Sequence, residues 1–88
     1  MPNECSNRVT ITHENEMDSI LQEIYREIPG ATILQRGKLG IKIQYITAWE
    51  PNFSFLEKIV ENYPLSWVKD EWISEDGTSG IIIGNKNN

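Results

Sequence analysis

The chain has 88 residues, 39% of them hydrophobic and 24% charged, a composition that excludes wholesale disorder and predicts one folded domain over 1–88. Thirteen acidic residues against eight basic ones give a net charge of −5, which opposes non-specific binding to duplex nucleic acid and favours basic partners. No apolar run approaches the roughly 18 residues needed to cross a bilayer, and the single Cys5 excludes an intramolecular disulfide.

Val9 and Ile11 alternate with Arg8, Thr10 and Thr12, the period of a half-buried strand over 7–12. After a turn at 13–15, Met17, Ile20, Leu21, Ile24, Tyr25 and Ile28 recur at the spacing of one helical face. Glu14, Glu16 and Asp18 crowd the start of this helix, where they complement the positive end of its dipole. Pro29-Gly30 ends it. A second strand is expected over 31–35, then a tight connection at Arg36-Gly37-Lys38 with Gly37 at positive φ. Leu39, Ile41, Ile43 and Tyr45 alternate with Gly40, Lys42 and Gln44 in a third strand over 39–46.

Pro51 suits the first turn of a second helix, whose stripe is Phe53, Leu56, Ile59, Val60 and Tyr63 and which Pro64 terminates. Phe55 falls off that stripe. Residues 65–73 read as a strand in which Trp67 and Trp72 have opposite parity, and a bulge near 69–71 would put both on one face. A turn at 75–77 and a short strand over 80–84 close the pattern, before a polar tail over 85–88.

The order β-α-β-β-α-β-β contains the ferredoxin-like split βαβ unit and adds one strand. The expected fold is therefore α+β: an antiparallel sheet of four to five strands with two helices on one face. Its open face should carry Arg8, Thr10, Thr12, Lys42, Gln44 and one Trp.

No constellation of catalytic residues emerges, and the protein is expected not to be an enzyme. Cys5 and His13 flank one strand and are too few for a structural zinc, so no metal or other cofactor is expected. Cys5 reads as a small packed residue and His13 as a loop residue. The glycines lack the strand-loop-helix context of a phosphate loop. The carboxylates of the last hairpin lie in a polar, turn-rich stretch where nothing predicts a shifted pKa. They are solvated, a contact surface for a basic partner, or groups for acid–base work, in that order of expectation. Trp49 is either a staple on the second helix or, exposed with Phe53 or Phe55, a partner hot spot. Single-stranded nucleic acid is usually held on stacking aromatics, and the outward positions of the two central strands hold none.

Two segments carry a resemblance. The opening Met1-Pro2-Asn3-Glu4-Cys5-Ser6-Asn7-Arg8-Val9-Thr10-Ile11 resembles the start of the YubB ferredoxin-like family of phages and plasmids. Thr47-Ala48-Trp49-Glu50-Pro51, with the later Glu61-Asn62-Tyr63-Pro64, is similar to a second stretch of the same group. Glu4 stands where that family commonly has an aromatic residue, and the middle of this chain is shorter. The resemblance implies a ferredoxin-like domain encoded on a phage, prophage or plasmid, and it brings no catalytic residues.

The functional expectation is a small non-enzymatic accessory protein of such an element, acting by binding a host or phage protein. Inhibition of a host defence or regulatory factor is its concrete form. The contact residues expected are Asp70, Glu71, Trp72, Glu75 and Asp76. The alternative is a regulatory protein that binds RNA or single-stranded DNA through Arg8, Arg36, Lys38 and Lys42. The expected location is the cytoplasm, without membrane association, and pairing of the sheet across its face or edge would give a homodimer.

Overall fold

A computed structural model describes residues 4–13, 15–48 and 53–85. The elements are β1 (Glu4–Thr12), α1 (Met17–Glu27), β2 (Thr32–Arg36), β3 (Gly40–Ala48), α2 (Phe53–Asn62), β4 (Trp67–Ser74) and β5 (Ser79–Asn85). The five strands form one antiparallel sheet in the order β2-β3-β1-β4-β5. The expected α+β architecture with a five-stranded antiparallel sheet and two helices is present. The strands are longer than their apolar cores, because pairing continues past the alternating hydrophobic residues: β1 begins at Glu4 and β3 runs to Ala48.

The alternation sorts the strands' residues onto two faces. Val9, Ile11, Ile41, Ile43, Tyr45 and Val68 are buried with Met17, Ile20, Leu21 and Ile24 of α1 and Phe55, Leu56 and Ile59 of α2. Both helices thus bury their apolar stripes on the same side of the sheet. Between the helices, Lys58 Nζ lies 2.6 Å from Glu27 Oε1 and 3.5 Å from Glu23 Oε1, and Arg26 pairs with Glu23 as well. The hydrogen bond from Lys58 holds the Glu27 carboxyl below its ordinary range.

Several local expectations change. In α1, Tyr25 is exposed and Glu23 is buried, because Glu23 turns toward Lys58 of the neighbouring helix. In α2, Phe55 belongs to the core, where its ring meets Tyr45 edge-on, while Phe53 is exposed. Gly37 does not take positive φ; among the described glycines only Gly77 does, at φ 91°, in the turn between β4 and β5. The Arg36–Gly40 connection instead closes through Gly37 N–H donating to the Gly40 carbonyl at 2.9 Å.

The bulge expected near Lys69–Glu71 is absent: β1 and β4 pair without a shift from Cys5↔Ser74 to Thr12↔Trp67. Trp67 and Trp72 therefore face opposite sides of the sheet. The shift lies in β2, between Ile33 and Gln35. Trp49 and Pro51 fall outside the described residues. Among the described residues, no helix is long and apolar enough to cross a membrane.

Candidate functional site

Cross-strand pairing arranges the open face in rows. One row runs Lys42, Thr10, Lys69, Ile83; the next Gln44, Arg8, Glu71, Ile81; the next Ile46, Ser6, Ile73, Ser79. The central strands supply the polar residues expected there, and Trp67, opposite Thr12, is the one tryptophan on this face among the described residues. At the β4–β5 side the character changes. Ile73, Ile81 and Ile83 are 57%, 61% and 54% exposed, so three large aliphatic side chains stand together in solvent. Isolated exposed isoleucines are ordinary, whereas a contiguous group on a sheet face marks a contact surface.

An acidic cluster borders this patch. The turn after β4 folds back on the start of β1, with Glu75 N–H donating to the Glu4 carbonyl at 3.0 Å and Glu4 N–H donating to Glu75 Oε1. Asp76 Oδ1 accepts from Thr78 N–H at 2.9 Å, and hydrogen bonds from Thr78 hold its carboxyl below the usual range. Glu4, Glu75 and Asp76 are exposed at one end of the patch, and Glu71 lies between Arg8 and Ile81 within it. Lys69 Nζ is 3.6 Å from Glu71 Oε1. The isoleucines thus stand among mostly acidic side chains, with Glu71 inside the group and Arg8 and Lys69 beside it.

Of the five residues expected at a partner surface, Glu71, Glu75 and Asp76 are exposed. Trp72 is half-buried on the helix side, opposite Gly80. Asp70 is a correction: it is fully buried, because it shares the parity of Val68 and pairs with Val9. Neither of its carboxylate oxygens has a hydrogen-bond partner, and desolvation pushes its pKa up to about 6. The expectation of an unshifted carboxyl fails there, since the polar local sequence says nothing about what packs above the strand.

Asp70 belongs to a buried polar group on the helix side, with Asn7, Cys5 and Tyr45. Asn7 Nδ2 donates to Thr47 Oγ1 at 2.9 Å and to the Cys5 carbonyl at 3.1 Å, while its Oδ1 has no partner. The Tyr45 hydroxyl is also buried without a partner, and burial pushes its pKa up, with the Asp70 charge acting in the same direction. Burial likewise raises the Cys5 thiol.

His13 lies in the loop between β1 and α1, as expected, but it is buried there and caps the helix start. Its Nδ1 accepts from the Asn15 and Glu16 N–H groups, both at 3.1 Å, satisfying donors at the start of α1. That leaves the ring proton on Nε2, which lies 3.3 Å from Glu16 Oε2, and the ring meets Tyr63 edge-on. His13 and Cys5 are thus both packed into the interior. Among the described residues, no group of three or more His, Cys, Asp or Glu is placed to hold a metal ion.

The four basic residues of the alternative reading are only partly gathered. Arg36, Lys38 and Lys42 line one shallow cleft with Thr10 and Leu39 at the β2–β3 hairpin. Arg8 stands in the next row, between Gln44 and Glu71, apart from that cleft.

The isoleucine patch was not singled out in the sequence. Its signal is the uninterrupted alternation of β4, which aligns Ile73 with Glu71, and the Ile81-Ile82-Ile83 run between Gly80 and Gly84. No protein-family model, no curated protein and no solved structure matches this chain.

Proposed function

We propose that this is a small non-enzymatic protein that acts by binding another protein through the β4–β5 half of its open face. The observation that carries the reading is the exposed trio Ile73, Ile81 and Ile83, bordered by Glu71, Glu75 and Asp76. An apolar centre supplies affinity by excluding water, and an acidic rim steers and orients a partner with basic residues around an apolar segment. Trp72 contributes from behind, by supporting β5 at Gly80, and Asp70 belongs to the interior.

We read the sheet as a ferredoxin-like split βαβ unit extended by β5. With the resemblance of Met1–Ile11 to the YubB-type family, this supports an accessory protein of a phage, prophage or plasmid. The partner is then a host or phage protein in the host cytoplasm, and inhibition of a defence or regulatory factor is the concrete form. Affinity capture from host lysate, with and without nuclease, tests the reading. A stoichiometric protein that survives nuclease and is lost on Glu71→Lys with Glu75→Lys and Asp76→Lys supports it; capture indifferent to those changes removes it.

The cleft lined by Arg36, Lys38 and Lys42 favours a second reading, a regulator that binds RNA or single-stranded DNA. That reading requires binding that weakens steeply with salt and disappears on Lys38→Glu with Lys42→Glu.

A further inference from the structure

The two edges of the sheet are built differently. The β2 edge is five residues long, breaks its register between Ile33 and Gln35 and ends in Arg36, features that discourage pairing with another chain. The β5 edge has none of them. Its seven residues, Ser-Gly-Ile-Ile-Ile-Gly-Asn, contain no charge and no proline, and they pair with β4 without a shift. On the open face, Ile81 and Ile83 of this strand are more than half exposed. An unguarded, regular and aliphatic edge is a template for another strand.

We propose that the strand it receives is β5 of a second copy, joined antiparallel about a two-fold axis at Ile82. The strand is complementary to itself in that register. Ser79 meets Asn85, Gly80 meets Gly84, Ile81 meets Ile83 and Ile82 meets its own counterpart, so all seven residues pair. Residues with the same parity stay on the same face, as a continuous sheet requires. On the open face, Ile81 and Ile83 of both copies form one aliphatic cluster across the axis.

The charged rows behind that cluster are compatible with the same register. Ile83 pairs with Lys69 and Ile81 with Glu71 within one copy. Joining Ile83 to Ile81 of the second copy therefore gives rows that begin with Lys69 and end with Glu71. Centring the axis on Ile81 would instead align glutamate with glutamate, and centring it on Ile83 would align lysine with lysine. Both of those registers also leave strand ends unpaired. The product is a ten-stranded sheet in a C2 dimer, with the isoleucine patches of the two copies merged.

Sedimentation of the full chain at about 100 µM, a concentration at which a weak dimer is populated, tests this. The mass expected is twice the monomer's 10.1 kDa. Ile81→Lys with Ile83→Lys should give a monomer of unchanged circular dichroism, because both positions are exposed in the single chain. Ile73→Lys, on the same face but off the edge, should remain dimeric. The register has its own test: chains carrying Ile81→Glu alone and Ile83→Lys alone should each be weakened, and an equimolar mixture should dimerise again. A monomeric wild type, a dimer that survives the double lysine variant, or a mixture that stays monomeric would each overturn the proposal.

Discussion

Gly80 lies directly beneath the indole of Trp72: a Cβ added at Gly80 would sit 2.8 Å from Trp72 Cζ2 and 2.9 Å from Cε2. The two residues are cross-strand partners in β4 and β5. Trp72 points to the helix side at the end of the sheet, and the missing side chain opposite gives it a place to lie. Any substituent at Gly80 must displace the ring. Gly80→Ala is therefore expected to destabilise the fold by about 1–3 kcal/mol, the usual cost of overpacking. Urea unfolding followed by circular dichroism measures it, and an unchanged midpoint would refute the contact.

Asp70 makes stability depend on pH. Its carboxyl ionises near 3.8 in an unfolded chain and near 6 in the fold, so the folded state holds the proton more tightly. The stability linked to this group is full below about pH 3.8 and is lost as pH rises through about 6. Asp70→Asn removes the ionisation while keeping the shape. The variant's stability relative to wild type should rise by roughly 2–3 kcal/mol between about pH 4 and pH 8. A difference independent of pH in paired urea titrations would mean that Asp70 is solvated in the folded protein.

His13 organises the start of α1 through two backbone amides. Replacing it with alanine frees both donors and leaves a void beside Tyr63. His13→Ala should cost about 2–3 kcal/mol, as a lost cap combined with a cavity. Hydrogen exchange should also accelerate at Asn15 and Glu16 before it does so in the sheet. Retained protection at those two amides would remove the capping role.

Cys5 is fully buried, and its thiol is shifted upward by desolvation. Thiol reagents should label it only through opening of the fold, at a rate that rises with urea. Prompt stoichiometric labelling of the native protein would show that β1 is exposed at its start.

The fold was legible because two alternating strands and two helical stripes carry most of the core. Val9, Ile11, Ile41, Ile43 and Tyr45 face inward as their period requires. What stayed hidden depends on partners distant in the chain. Asp70 sits in a stretch of charged and polar residues, and only its pairing with Val9 places it inside. The place of Trp72 on the helix side depends on its cross-strand partner Gly80, a pairing that is invisible in one dimension. Phe55 left the helical stripe on paper yet meets Tyr45, a residue of the neighbouring strand. The acidic residues of the candidate surface were readable as a cluster. The isoleucines beside them were not, since the Ile81-Ile82-Ile83 run has no alternation of its own and its open-face parity becomes clear only from its pairing with β4.

Affinity capture with the wild-type chain and with an Ile73→Lys variant tests the central claim most directly. Ile73 is 57% exposed and lies away from the β5 edge, so the change alters the proposed partner surface and neither the core nor the edge. The account predicts a protein captured in stoichiometric amount by the wild type in the presence of nuclease, and at least tenfold less of it by the variant, about 1.4 kcal/mol of binding. Equal capture by both chains, or capture abolished by nuclease, would contradict it.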